Sequence, residues 1–367
     1  MQSYINSIRF VVGVVLLTIV SAVSVQAIDI YRCKDDAGHT IFQDLPCEGG
    51  DTSIISWSGS KSAAPGISSN NAAIPAAFSS AENTPARESA PEAAVVGKKH
   101  FFWRATKVNH GVLYLFGSVH FGRAEMYPLP KVVLDAFAQS DALVVEVNAL
   151  NMDPMVLAQS FAARGIYVDG GSLREDVDTA TWQRLGRLAR ELGLSVEMMN
   201  MQKPWMAAMT LGAMSVKRAG FSESLGIDMH FLKQAKDKMT IVELESMAFQ
   251  AELLSSLPLD SQRVMLADTL RILDEGPSYY QRMLDAWQNG KVAALEGVMS
   301  ESLSGSTAAE HLNKVMLEDR NVAMVAKLTA LSVGRQRHFV VVGAAHLVGP
   351  RGLVEMLRHQ GYVVEQF

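Results

Sequence analysis

Two histidines 226 residues apart stand at the end of the same short phrase. The first copy is Val112-Leu113-Tyr114-Leu115-Phe116-Gly117-Ser118-Val119-His120. The second is His338-Phe339-Val340-Val341-Val342-Gly343-Ala344-Ala345-His346. In each, a run of β-forming residues stops at a glycine and an imidazole follows three positions later. A strand that ends this way presents a ligand at a sheet edge, and a metal ion is the simplest thing for two imidazoles to share. Gly117 and Gly343 would let backbone approach a metal or substrate, or adopt positive φ; an ordinary strand-ending turn is the plainer use of them.

Two carboxylates belong with these histidines. Glu146 lies in the otherwise apolar run at 142–147. Burying its charge alone would cost several kcal/mol, so it needs a cation, and Arg320 and Arg123 are the candidates if no metal serves. Glu245 ends the run at 239–244, where Glu243 alternates with it as a partner or a solvent-facing residue. Two histidines and two carboxylates are a donor set for manganese, cobalt or zinc. Such a metal lowers the pKa of a water and polarises a carbonyl, and a carboxylate not fully used as a ligand can take the water's proton. The remaining histidines read as surface or structural residues.

These four residues have to be positioned by strands. β-rich runs fall at 112–116, 142–147, 239–244, 339–342 and 362–366, and helical patterns at 181–192, 204–216, 228–235, 247–254, 261–273, 278–287, 308–331 and 351–359. This alternation predicts an α/β domain with a mostly parallel central sheet flanked by helices and a helix-rich second half. His120, Glu146, Glu245 and His346 then sit at or beyond the carboxyl ends of their strands, where open α/β sheets bind ligands. Gly349-Pro350-Arg351-Gly352 opens the last helix, whose N–H groups could hold a substrate carboxylate.

The chain as a whole sets limits. It has 367 residues, 49% hydrophobic and 19% charged, with net charge −5. That balance argues against a nucleic-acid partner, which would need a basic footprint. Arg9 precedes an apolar run at 10–25, and small residues end at Ala27, so residues 1–27 read as a signal peptide rather than a retained anchor. Cleavage leaves no stable transmembrane segment, a net charge of −5 − 1 = −6, and a periplasmic or otherwise exported protein. Residues 28–52 read as a small β unit stapled by Cys33 and Cys47, a bridge contributing roughly 3 kcal/mol. Residues 53–98, rich in Ser, Ala and Pro, read as a disordered linker. Residues 99–367 form the main domain. It has no His-Glu-x-x-His, no Gly-x-Ser-x-Gly and no P-loop, which excludes helix-borne zinc proteases, serine hydrolases and P-loop NTPases of the usual kinds.

An ordered set of strings runs through the main domain: Leu113-Tyr114-Leu115-Phe116-Gly117-Ser118-Val119-His120, Ala142-Leu143-Val144-Val145-Glu146-Val147, Lys203-Pro204-Trp205 and Leu225-Gly226-Ile227-Asp228. Val242-Glu243-Leu244-Glu245, Glu318-Asp319-Arg320-Asn321 and Gly343-Ala344-Ala345-His346-Leu347-Val348-Gly349 complete it. With these strings the domain resembles the TraB/GumN family, related to the TIKI metalloproteases. The segment from Tyr31 to Cys47 resembles a small domain of unknown function that begins many bacterial envelope proteins. The main resemblance implies an α/β domain with twin Gly-x-x-His motifs and a site at His120, Glu146, Glu245 and His346. It places Arg320 and Asp228 near that site, although Asp228 could equally cap a helix. TIKI relatives are metal-dependent proteases that trim peptide N-termini with cobalt or manganese. TraB relatives are linked to peptide-pheromone shutdown, and GumN is named from a xanthan gene cluster.

The expected function is an exported metal-dependent hydrolase of peptides. In it, Glu146, Glu245 and Arg320 are catalytic, and Gly117, Gly343 and Asp228 contact substrate. The same pocket could instead sequester a peptide or a haem-like ligand without turnover, or serve polysaccharide assembly.

Overall fold

The computed structural model describes residues 99–151, 153–301 and 305–367, together with three strand segments near the N-terminus. Those segments are Asp29–Lys34 (β1), Thr40–Gln43 (β2) and Ser53–Ser56 (β3), an antiparallel sheet in the order β2-β1-β3. The third strand lies in the stretch read as the start of the linker. A hairpin alone is marginal, and a further strand adds the pairing it lacks. The expected signal peptide, Cys47 with its bond to Cys33, and the linker beyond Ser56 lie outside the described residues.

The main sheet has six strands: Phe102–Thr106 (β4), Val112–Ser118 (β5), Ala142–Val145 (β6), Thr240–Glu243 (β7), Arg337–Gly343 (β8) and Val363–Gln366 (β9). Their order is β7-β6-β8-β5-β4-β9. The β7-β6, β6-β8 and β8-β5 pairings are parallel, whereas β5-β4 and β4-β9 are antiparallel. The sheet is therefore mixed, and the mostly parallel expectation holds only for the four strands that carry the site. The cause is β4, a short strand whose apolar run is broken by Arg104. It is joined to β5 by a tight turn in which Asn109 takes φ 63° and the His110 N–H bonds to the Lys107 carbonyl (3.0 Å). Asparagine tolerates that conformation, and so short a connection permits only an antiparallel neighbour.

The central strands are apolar on both faces, as parallel strands covered by helices must be: Leu113, Leu115, Val144, Val340, Val341 and Val342 are fully buried. The long crossovers from β6 to β7 and from β7 to β8 hold most of the helices. There a second core forms around Trp205, Leu185, Leu211 and Leu266, from helices Thr179–Glu191, Pro204–Arg218 and Leu259–Glu275. Pro204 opens its helix where the missing N–H costs nothing, and Trp205 follows directly into that core. The helix expected at 308–331 is divided into Thr307–Asn313, a π-helical turn Lys314–Glu318, and Asp319–Leu331. Periodicity alone does not reveal a π turn, which often marks a functional place in a helix. Among the described residues no helix is long and apolar enough to cross a membrane.

Candidate functional site

β5 and β8 are adjacent, with Ser118 opposite Gly343. The two Gly-x-x-His phrases therefore leave the sheet side by side, offset by one residue because Gly117 faces Val342. On the other side of β8, the β6-β7 ladder continues past the strand ends. Leu244 N–H bonds to the Val145 carbonyl (2.8 Å) and Glu245 N–H to the Glu146 carbonyl (2.9 Å), which sets the two glutamates next to each other.

A buried arginine binds both. Arg320 Nε donates to Glu245 Oε1 (2.8 Å), and Nη2 donates to Glu245 Oε2 (2.7 Å) and to Glu146 Oε2 (2.8 Å). Its Nη1 donates to the Met316 carbonyl of the π turn (3.0 Å). The guanidinium fork suits this bidentate geometry, and the paired charges raise the Arg320 pKa even though burial opposes its charge. Arg123, the other candidate partner for Glu146, lies instead over the Phe221 ring (4.2 Å) and bonds to the Ala219 carbonyl. Glu245 also accepts from Gln250 Nε2 (2.6 Å), so both of its oxygens are engaged. Glu146 Oε1 accepts the Gly343 N–H (2.6 Å). Burial works against the charge on Glu146, but Arg320, His120 and that N–H hold its pKa below the usual carboxylate range.

Both histidines are tied through Nδ1. His120 Nδ1 bonds to Asp228 Oδ2 (2.8 Å), and an ionised carboxylate can only accept. His346 Nδ1 bonds to Asn321 Oδ1 (2.6 Å). The amide orientation there follows from Asn321 Nδ2, which donates to the Arg351 carbonyl (2.7 Å). Nδ1 is thus the protonated nitrogen of the neutral ring in each case, and Nε2 carries the lone pair. His346 Nε2 lies 3.8 Å from Glu146 Oε2.

Asp228 reaches His120 because the helix Ile227–Ala235 docks on the Gly-x-x-His loop by backbone. Ile227 N–H bonds to the Val119 carbonyl (3.0 Å), and a Cβ at Gly226 would lie 2.2 Å from the His120 oxygen, so only glycine fits. Gly226 is the N-cap, and Asp228, two residues further in, serves the imidazole. Gly117 accepts from Trp287 Nε1 (2.6 Å), and a Cβ there would meet Phe101 Cδ1 at 2.6 Å. Its absent side chain serves close packing. Gly343 has φ −49°, and its N–H serves Glu146. The expected anion site at 349–352 is altered too: Gly349 N–H is taken by Glu296 Oε1 (2.7 Å), and the last helix starts only at Leu353.

The electrostatics pull the two rings apart. Burial disfavours a charge on His120, but Asp228, with a smaller contribution from Glu146, outweighs it and raises the pKa to about 9. Burial, assisted by Arg320 and His120, lowers His346 to about 3 against the pull of Glu146. With His120 protonated and His346 neutral, the site holds Asp228, Glu146 and Glu245 against Arg320 and His120, a formal charge of −3 + 2 = −1, which becomes −2 when His120 gives up its proton. A divalent cation would balance that excess, and the donors are of the right kind: two Nε2 lone pairs, each fixed by an outer hydrogen bond, and Glu146. Among the described residues no three His, Cys, Asp or Glu side chains are gathered into a ready coordination shell.

Sequence reasoning had no role for Gln250 or Asn321. Asn321 was within reach of inference, since it follows Arg320 in a string already singled out. Asp228→Asn keeps an acceptor for His120 but removes the charge that raises its pKa. In an NMR titration, His120 of that variant should titrate well below about 9. Any activity should fall by roughly 10- to 100-fold, as for other outer-layer partners. An unshifted His120 titration would remove Asp228 from control of that ring.

The TraB/PrgY/gumN family pattern matches residues 101–366, and a domain of unknown function, DUF4124, matches residues 16–94. The uncharacterized protein YbaP of Escherichia coli (strain K12) is 30% identical over 270 residues, covering 72% of this chain and 96% of that protein. YbaP of Shigella flexneri matches to the same extent, and no solved structure matches. With the family pattern spanning the sheet, both histidine loops and the helical lobe between them, the chain belongs to the TraB/PrgY/gumN family.

Proposed function

We propose that the chain is an exported hydrolase that cleaves peptides at the twin-histidine site, with a divalent metal held by His120, His346 and Glu146. The observation that carries this reading is the pair of imidazoles at neighbouring strand ends. Both are anchored through Nδ1, so that each ring, once neutral, presents its Nε2 lone pair beside a buried carboxylate; His120 must give up a proton for a metal to bind. A bound metal would supply Lewis acidity, polarising the scissile carbonyl and lowering the pKa of the attacking water. Glu146, held ionised next to His346, is the group placed to accept that water's proton. Arg320 fixes the orientation of Glu146, and Glu245 with Gln250 fixes Arg320. Asp228 and Asn321 set the ring orientations.

The test is metal content and peptide cleavage of protein purified without chelator. His120→Ala and His346→Ala should each lose the metal and the activity while remaining folded, and the double variant should be no worse than either single. That non-additivity is expected of residues acting as one unit. Full metal occupancy in either single variant would overturn the shared site. Metal without cleavage of any member of a peptide library would leave a binding protein in place of an enzyme.

Export rests on Arg9, the apolar run and Ala27. The intact mass of envelope-derived protein should correspond to a chain beginning at Ile28 with Cys33 and Cys47 oxidised. A chain beginning at Met1, or two alkylatable thiols, would refute it.

A further inference from the structure

A cavity of about 300 Å³ is lined by Ala345, which precedes His346, and by Asn321, which holds the His346 ring. It shares Asn321 and Ala345 with the site, and its walls include Glu296, Asn313, Glu318 and Arg351. Its chemistry is lopsided toward acceptors. Asn313 is only 6% exposed, and its Nδ2 donates to Glu318 Oε1 (3.1 Å). That bond fixes the amide, and Asn313 Oδ1 is left buried with no donor among the described residues. A buried acceptor without a donor costs about 1–3 kcal/mol, so an N–H donor from a ligand would be rewarded there. Glu318 and Glu296 add two carboxylates.

The chain itself shows what Glu318 accepts. Arg351 Nε lies 3.5 Å from Glu318 Oε2, but the Arg351 side chain is 60% exposed. An exposed pair at that distance contributes little and can be exchanged for a better-placed cation. Asn313 and Glu318 also bracket the π turn Lys314–Glu318, and the helix that follows carries Arg320 and Asn321. One irregular segment therefore builds both the cavity wall and the buried charge network.

We propose that this cavity is a specificity subsite for a lysine or arginine side chain of the peptide, its cationic head on Glu318 and Asn313 Oδ1 and its alkyl stem along Leu317. This deepens the hydrolase reading and rests on it. It predicts cleavage close to basic residues.

The test has a binding arm that needs no turnover. Nα-acetylarginine amide and its uncharged counterpart Nα-acetylcitrulline amide are titrated into the full chain by calorimetry. The arginine probe should bind at least about tenfold more tightly. Glu318→Gln, checked for folding by thermal melting, should weaken the arginine probe by about tenfold and leave the citrulline probe unchanged. Asn313→Leu should act in the same direction, and Arg351→Ala, which removes the competing guanidinium, in the opposite one. Equal affinities for the two probes, or an arginine affinity indifferent to Glu318→Gln and Arg351→Ala, would overturn the subsite. A peptide-library digest separates the two claims. Cleavage without basic preference sinks the subsite and leaves the hydrolase. Arginine-selective binding without any cleavage leaves the subsite and sinks the hydrolase.

Discussion

Glu146→Gln should lower peptide turnover by about two to four orders of magnitude and leave the fold intact. Glutamine has the volume of glutamate. Its amide oxygen can still accept from either Gly343 N–H or Arg320, so the strand ends should stay where they are. What disappears is the charge, which the surrounding groups enforce by holding the pKa below the usual carboxylate range, and with it the capacity to take a proton. Metal analysis of the same variant sorts the roles. Retained metal with lost turnover makes Glu146 the base alone; loss of both makes it a ligand as well. Unchanged turnover with unchanged metal would remove Glu146 from the mechanism and move the base to Glu245.

The largest effect on stability is expected from Arg320→Met. The guanidinium is 3% exposed and is the cation shared by Glu146 and Glu245. Removing it leaves two buried carboxylates facing each other with only the Gly343 N–H and Gln250 in support. Breaking a buried ion pair in this way costs about 3–5 kcal/mol, measurable by chemical denaturation. Adding Glu245→Gln to Arg320→Met should restore part of the loss, because one unpaired charge is then gone. If the double variant is no more stable than Arg320→Met alone, packing rather than charge is what Arg320 contributes. A loss below about 1 kcal/mol would contradict the buried network itself.

How far the sequence foretold this site depends on which interactions are local. His120 and His346 were legible because each ends a strand at a glycine, and strand ends can be read from a short window. Glu146 was legible because a charge in the run at 142–147 demands a partner. The identity of that partner was not, since the choice between Arg320 and Arg123 is made by tertiary packing across 174 residues. Glu243 and Glu245 stand two apart and would share one face of a continuous strand, so alternation does not separate them; the strand ends at Glu243, which is exposed, and Glu245 beyond it turns into the buried network. β4 escaped notice because its run is brief and carries Arg104, and its loss hid the antiparallel edge. The π turn at 314–318 escaped because it preserves helical composition while changing the hydrogen-bond step. The parts played by Asn321 and Gln250 exist only once the helices are docked.

The repeated phrase also hides a difference. One ring leans on Asp228, an anion, and the other on Asn321, a neutral amide. The letters of the motif are duplicated, but the reservoirs of charge behind them are not. One imidazole is therefore built to gather positive charge and its twin to refuse it, which gives the site a fixed polarity from β5 toward β8. On the hydrolase reading proposed above, a substrate whose electron density is uneven along its length would meet such a site in one favoured direction, so that orientation precedes chemistry.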